Sequence, residues 1–159
     1  MSVETFGTPS VVVGVDGSEP STHALRWAHY LADATGSRLD VITTWEFPVS
    51  WVGIPADWDP AQEAQRILDA TLDEVFAADK PSGLRTVVIE GGAAQTLLEA
   101  SRTARMLIVG SRGHGGFAGL LLGSVSAACA EHATCPVLVV HGSAPLRAHE
   151  LKSVDGAVR

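Results

Sequence analysis

The clearest candidate for a functional site in this chain is a glycine-rich segment, residues 110–124. It reads GSRGHGGFAGLLLGS and lies between an apolar run, residues 106–109, and a stretch with helical spacing that begins at Val125. Glycines let backbone N–H groups approach an anion because no Cβ atom interferes. The first turn of the next helix adds unpaired N–H donors and the positive end of its dipole. The segment therefore predicts phosphate or nucleotide binding, with a flexible connector as the alternative.

Polar side chains in and after this loop could add to such a site. The loop is not a Walker A sequence, because no lysine follows its last glycine. Arg112 and His114 are its cationic residues, and we expect them at the rim of a site. Ser124 and Ser126 lie where the next helix begins, so each hydroxyl could either cap that helix or donate to a phosphate.

Asp16 is a second candidate, because it follows the first apolar run and opens an Asp-Gly-Ser turn. An aspartate in a turn commonly bonds to its own backbone two residues further on. At the carboxyl end of a parallel strand it could instead face a nucleoside. The local sequence leaves both interpretations open.

The elements that must position these residues alternate along the chain. Apolar runs predict strands at residues 10–15, 39–45, 84–89, 106–109 and 136–140. Helices are predicted after the cap residues Ser18 and Asp59, around residues 93–101, and from Leu122 to His132. The alternation predicts a doubly wound parallel α/β sheet, and ligands bind such sheets beyond the carboxyl ends of the strands.

Composition favours one globular domain and excludes some partners. The chain has 159 residues, of which 46% are hydrophobic and 18% charged, and its formal net charge is −7. Because no Lys/Arg cluster is present, we expect no nucleic-acid partner. No apolar stretch is long enough to span a bilayer, and the first ten residues lack the pattern of a signal peptide. We therefore expect a cytoplasmic protein with no membrane partner.

The cysteines, one histidine and a proline-rich segment outside the loop are expected to have structural roles only. Cys129 and Cys135 lack the spacing of a metal or redox pair and are expected to be small buried residues. His132 is expected on the buried edge of its helix, and we expect no metal site built from side chains. Prolines are expected to prevent regular secondary structure in residues 47–60. The apolar residues between these prolines nevertheless predict that the segment packs on the rest of the protein.

The spacing G-x2-G-x9-G-[ST] fits Gly110, Gly113, Gly123 and Ser124 without a gap. Together with VVGVDGS near the start and CPVLVV near the end, it resembles the universal stress protein family in its ATP-binding branch. The resemblance covers residues 8–141. We expect these to form one domain between a flexible N-terminus, residues 1–7, and a polar C-terminal tail, residues 142–159.

The resemblance implies an adenine nucleotide alpha hydrolase-like (Rossmann-like) fold, with five parallel strands in the order 3-2-1-4-5 and helices on both faces. It implies ATP as the ligand and Mg2+ bridging the phosphates. The positions implied for the base and ribose are Gly14, Asp16, Thr44, Val109 and Gly110. The positions implied for the phosphates are Gly113, Gly123, Ser124, Val125 and Ser126. In relatives the backbone at the Thr44 position receives the adenine, and backbone N–H groups cradle the phosphates, with a further hydroxyl from Ser126.

The last predicted strand, Val137–Val140, is short and apolar and should lie at an edge of the sheet. A bare apolar edge favours pairing with another chain, and a two-fold homodimer would satisfy its backbone groups. The resemblance implies the same dimer. The alternative is that residues after 142 fold back over the edge.

The resemblance implies a nucleotide-dependent regulator in the stress response, and we expect no catalytic residues. Residues 47–60 are the candidate surface that responds to nucleotide. A slow ATP hydrolase and a nucleotide-free dimeric interaction protein are the alternatives, although no catalytic lysine and no hydrolase elbow G-x-S-x-G is present.

Overall fold

Strands and helices alternate through the part of the chain that the computed structural model describes, which comprises residues 9–50, 52–55, 57–114, 119 and 121–142. The elements are β1 (Ser10–Gly14), α1 (Glu19–Thr35), β2 (Arg38–Trp45), α2 (Pro60–Phe76), β3 (Leu84–Glu90), α3 (Ala93–Ser101), β4 (Met106–Gly110), α4 (Ser124–His132) and β5 (Val137–Val140). The strands form one sheet in the order β3-β2-β1-β4-β5, and each neighbouring pair is parallel. The predicted fold class and strand order are confirmed.

The first two helices begin where their cap residues predict. Ser18 Oγ accepts a hydrogen bond from the backbone N–H of Ser21 at 3.4 Å, which caps α1. Gly36 ends that helix in the left-handed region, with φ of 60°. Asp59 Oδ1 accepts from the N–H of Ala61 at 3.0 Å and caps α2. Local signals in the sequence therefore fix both helices.

The hydrophobic core lies on both faces of the sheet. Val11 and Val13 of β1 pack with α1 and α2 on one face. Val12 packs on the other face with Leu97 of α3 and Cys129 of α4. The inner strands are thus buried on both sides, as their continuous apolar sequences predict. This packing holds the carboxyl ends of β1, β2 and β4 at one edge of the domain.

Helix α4 and its surroundings differ in part from the sequence prediction. The helix begins after Leu122, and the side chain of His132 is 61% exposed, so the prediction of a buried His132 is wrong. The reason is that the apolar stripe continues from Cys129 to Ala133, one position beyond the histidine. Cys129 is buried as predicted, whereas Cys135 is only half-buried.

The loop between β2 and α2 differs from the prediction that its apolar residues pack on the rest of the protein. Phe47 is 50% exposed, although its ring contacts that of Trp45 edge-on with centroids 5.2 Å apart. Val49 and Val52 are almost fully exposed, so these two residues do not pack on the domain. Trp58 is half-buried, and Trp51 lies outside the described residues. Prolines prevent regular structure here, as predicted, but the apolar residues between them remain largely at the surface.

The two chain ends lie largely beyond the described ranges. Residues 1–8 and 143–159 contain the predicted flexible N-terminus and nearly all of the predicted tail, so both remain predictions. Among the helices of the described ranges, none has both the length and the apolar character needed to cross a membrane.

Candidate functional site

One cavity gathers the residues that the sequence singled out. It lies at the carboxyl ends of β1, β2 and β4, against the first turns of α3 and α4, and its volume is about 220 Å³. Its lining includes every member of the predicted set: Gly14, Asp16, Thr44, Val109, Gly110, Gly113, Gly123, Ser124, Val125 and Ser126. The fold therefore brings together residues that are far apart in sequence.

Part of the cavity lining is apolar. Ile42, Leu97 and Val109 belong to one buried cluster and line the cavity, and so does the first residue of α3, Ala93. Sequence reasoning missed all of these except Val109. Ile42 was detectable, because it lies two residues before Thr44 and so shares its face of β2. Leu97 and Ala93 had no comparable signal, since only the packing of α3 brings them to the site.

Asp16 adopts the turn conformation and also makes a long-range contact. Its Oδ1 accepts from the backbone N–H of Ser18 at 3.0 Å and from Ser18 Oγ at 2.5 Å. Its Oδ2 accepts from the backbone N–H of His114 at 3.2 Å. The turn interpretation of Asp16 is confirmed, and the same carboxylate joins the end of β1 to the glycine-rich loop.

The electrostatics of Asp16 follow from these contacts. Burial acts to raise the pKa of its carboxyl, but hydrogen bonds from Ser18, Ser21 and the backbone of His114 together outweigh burial and hold the pKa below its usual value. Asp16 therefore carries a negative charge at neutral pH inside the cavity.

Two loop glycines are required by packing within the protein. A Cβ atom on Gly110 would lie 2.7 Å from the carbonyl carbon of Pro20 and 2.8 Å from the backbone nitrogen of Ser21. A Cβ atom on Gly113 would collide with Oδ2 of Asp16. Glycine at these two positions lets the loop approach α1 and Asp16 closely.

Gly123 is different, because a Cβ atom there would meet its neighbours at ordinary distances. The nearest would be Arg112 Cα at 3.5 Å and the carbonyl oxygen of Ser111 at 3.6 Å. The N–H of Gly123 donates to that same oxygen at 2.8 Å. The Gly123 amide is thus engaged inside the loop.

The first turn of α4 supplies polar groups to the cavity. Gly123 is its N-cap residue, and within the described chain no side chain caps this helix. The N–H groups of Ser124, Val125 and Ser126 have no partner within a helix that starts there, and all three residues line the cavity. The turn can therefore donate hydrogen bonds to an anion, aided by the helix dipole.

The two serines of this turn are not equivalent. Ser126 is buried, and its hydroxyl donates to the carbonyl oxygens of Ser111 at 2.8 Å and Gly123 at 3.1 Å. Its proton is committed to holding the loop, which leaves its backbone N–H for a ligand. Ser124 is exposed and lines the cavity, so its hydroxyl is better placed than that of Ser126 to bind a ligand.

Cationic and metal-binding capacity at the site is modest. Arg112 and His114 are exposed and belong to the lining, which is compatible with the rim position expected for them. Across the described ranges, no group of three or more His, Cys, Asp or Glu side chains is placed to hold a metal ion.

A sequence profile described as the universal stress protein family matches residues 8–141. This chain belongs to the universal stress protein family. Universal stress protein Rv2623 of Mycobacterium tuberculosis (strain ATCC 25618 / H37Rv) is 30% identical over 161 residues, which cover 92% of this chain and 54% of that protein. A universal stress protein of Mycolicibacterium smegmatis is 35% identical over 146 residues, covering 83% of this chain and 48% of that protein. This universal stress protein thus spans about half the length of the curated relatives it matches.

Solved structures agree with the fold. A universal stress protein crystallised in complex with cAMP superposes with a TM-score of 0.63 at 30% identity, covering 85% of this chain and 98% of that one. The universal stress protein UspA from Lactobacillus plantarum superposes with a TM-score of 0.60 at 19% identity, covering 84% and 97%. The second likeness concerns the fold alone.

Proposed function

We propose that this universal stress protein binds an adenine nucleotide in the cavity, with ATP as its physiological ligand. The observation that carries the proposal is the first turn of α4. Its uncapped N–H groups belong to Ser124, Val125 and Ser126, which line a cavity that Ile42, Leu97 and Val109 also line. That combination suits a ligand with a flat apolar base and an anionic tail. The similar universal stress protein solved with cAMP supports the choice of an adenine nucleotide.

The proposed pose follows the chemistry of the lining. The base lies against Ile42, Leu97 and Val109, with the backbone of Thr44 at its polar edge. The ribose lies between Gly14, Asp16 and Gly110. The phosphates lie against the N–H groups of Gly113, Ser124, Val125 and Ser126. The Gly123 amide joins them only if it releases the carbonyl oxygen of Ser111.

Mg2+ is proposed to enter with ATP. This ion usually keeps several waters and binds through substrate phosphates and one or two carboxylates. Asp16 is the one carboxylate among the described lining residues. The residues present therefore fit an ion that the phosphates hold, and they do not form a separate metal cage.

We infer a regulatory role in the cytoplasm during stress. The candidate responsive surface is the loop after β2, because Phe47, Val49 and Val52 expose apolar area there and Thr44 of the same strand lines the cavity. A slow ATP hydrolase is the alternative. It is less favoured because Asp16, the carboxylate best placed to act as a base, is held by hydrogen bonds from Ser18 and His114.

We also propose a homodimer through β5. This strand is at the edge of the sheet, and Val137, Leu138 and Val139 are only half-buried in the single chain. A second copy pairing along this edge would bury them and satisfy the outward backbone groups. The C-terminal tail folding over the edge is the alternative.

The nucleotide proposal is tested by amide NMR spectra of uniformly 15N-labelled protein during titration with ATP and Mg2+. We expect saturable shifts of the Ser124, Val125 and Ser126 amides, because these would form new hydrogen bonds. The amides around Asp69, on the exposed face of α2, provide the internal control. Shifts confined to residues away from the cavity would contradict the proposed site.

A further inference from the structure

The loop between β2 and α2 presents apolar side chains to solvent. Val49 and Val52 have the highest exposed fractions among the large apolar side chains of the described ranges, and Phe47 beside them is half exposed. Pro48 and Pro55 flank the two valines, and proline restricts the backbone, so these side chains are presented with reduced conformational freedom. Apolar area held at the surface in this way is typical of a contact surface.

The charge around these valines is negative. Glu46 and Asp57 are exposed, and neither forms an ion pair within the described ranges. Residues 39–65 contain no Lys or Arg. A partner that fits this loop therefore combines apolar and positively charged side chains. An anionic membrane surface, or a second copy of a chain with net charge −7, meets repulsion instead.

The chain itself contains a segment of that chemistry. Residues 146–152 read LRAHELK. Leu146 and Leu151 supply apolar side chains, and Arg147 and Lys152 outnumber the single acid of the segment. The segment thus matches the loop in both apolar character and charge.

The position of Gly142 lets this segment reach the loop. The described part of the chain ends at Gly142, where a Cβ atom would lie 3.4 Å from Pro20 Cγ, beside the start of α1 at the carboxyl edge of the sheet. Strand β2 ends at the same edge, and only β1 and β4 lie between β2 and β5. Three strand spacings amount to about 14 Å, and an extended chain advances about 3.3 Å per residue. Residues 146–152 are therefore within reach of the loop.

We propose that residues 146–152 dock on the loop after β2 of the same chain. Their leucines pack against Val49 and Val52. Their cations face Glu46 and Asp57. Because the segment is tethered, its effective concentration at the loop is high and modest contacts suffice to hold it. This path leads away from the free edge of β5, and the inference does not depend on nucleotide binding.

Limited proteolysis of the full chain tests the docking, because trypsin cleaves after arginine. We expect cleavage after Arg147 in the wild-type protein to be at least tenfold slower than in a synthetic peptide of residues 143–159. In the double variant Val49→Ser with Val52→Ser, the rate is expected to rise to that of the peptide. Ala70→Ser is the control, because Ala70 is exposed on α2, and its protection is expected to equal that of wild type.

A second double variant tests the charges without creating a trypsin site. Glu46→Gln with Asp57→Asn is expected to speed cleavage after Arg147 about threefold, since exposed ion pairs contribute modestly. Asp69→Asn with Asp73→Asn is the matched control. It removes the same charge from the exposed face of α2, and its cleavage rate is expected to stay near that of wild type.

Circular dichroism checks that each variant is folded, and every substituted side chain is exposed. A wild-type chain cut as fast as the peptide would overturn the proposal and leave the loop open to another protein. Protection retained in both loop double variants would also overturn it, because the C-terminal tail would then lie elsewhere, such as over β5. Protection that falls on dilution would show docking on a second copy and contradict the contact within one chain. None of these outcomes bears on nucleotide binding.

Discussion

Gly110 lies so close to Ser21 that a Cβ atom on the glycine would be 2.8 Å from the serine's backbone nitrogen. The end of β4 and the first turn of α1 are therefore in backbone contact. We expect Gly110→Ala to lower the free energy of unfolding by about 1–3 kcal/mol, because backbone atoms cannot yield as side chains do. Urea denaturation measures this. Gly83→Ala is the control, since its Cβ would meet nothing closer than Arg38 Cα at 3.9 Å, and equal stability of the two variants would contradict the packing argument.

Gly123 offers the complementary experiment, since its Cβ position is open. We expect Gly123→Val to weaken ATP binding at least tenfold while the protein stays folded, because the side chain fills space at the start of α4. Calorimetric titration measures the affinity, and circular dichroism checks the fold. Gly83→Val, outside the cavity, is the matched control. An ATP affinity in Gly123→Val equal to that of the control would exclude this loop as the phosphate site.

The lowered pKa of Asp16 predicts a dependence of stability on pH. Hydrogen bonds to the ionised form stabilise the folded state above the unfolded pKa of about 3.9, and this contribution is lost as the pH falls through the folded pKa. We expect Asp16→Asn to lose less unfolding free energy than wild type between about pH 5 and pH 2. Asp69→Asn should follow the wild-type curve. Parallel curves for Asp16→Asn and wild type would show that the carboxylate is not stabilised in this way.

The two cysteines should differ in reactivity. Burial raises the pKa of the Cys129 thiol to about 11, with a smaller contribution from Cys135. Burial also raises the pKa of Cys135, but that residue is only half-buried. We therefore expect a thiol reagent at neutral pH to label Cys135 first, because the thiolate is the reactive form and access is greater. Mass spectrometry after Cys135→Ala should show the fast phase removed, and a persistent fast phase would contradict this.

The dimer proposal makes a prediction about single backbone groups in β5. The carbonyl oxygen of Pro136 accepts from the N–H of Leu107, and that of Val140 accepts from the N–H of Ser111. The backbone groups of every second residue, from Pro136 to Val140, therefore face β4. Val139 therefore directs its N–H towards the free edge. We expect Val139→Pro to remove that donor, spare the ladder to β4 and shift the protein from dimer to monomer.

Light scattering after size-exclusion chromatography measures the mass of each variant. Val139→Ala retains the N–H and should remain dimeric. A dimeric Val139→Pro would indicate that this edge of the sheet is not the interface.

Most of the fold could be predicted from sequence because its signals are local. The caps at Ser18 and Asp59 and the stop at Gly36 each act within a few residues. His132 was misjudged because helical spacing alone does not decide between two adjacent positions, and the core of α4 continues to Ala133.

The site also combines features that local sequence predicts with features that depend on tertiary packing. Glycine spacing predicted residues that do line one cavity, because the loop and α4 are continuous in sequence. The contact of Asp16 with His114 and that of Gly123 with Ser111 could not be predicted. Both depend on how the loop closes, and the first joins residues that follow two different strands, β1 and β4. The apolar lining at Leu97 likewise depends on where α3 packs.

The most direct test of nucleotide binding in this cavity is a calorimetric titration of nucleotide-stripped protein with ATP and Mg2+. We predict a saturable heat with one nucleotide bound per chain, which an excess of AMP or cAMP competes away because the adenosine contacts are shared. Absence of any binding heat with ATP, AMP and cAMP, from protein that circular dichroism shows to be folded, would contradict the claim that this cavity binds adenine nucleotides.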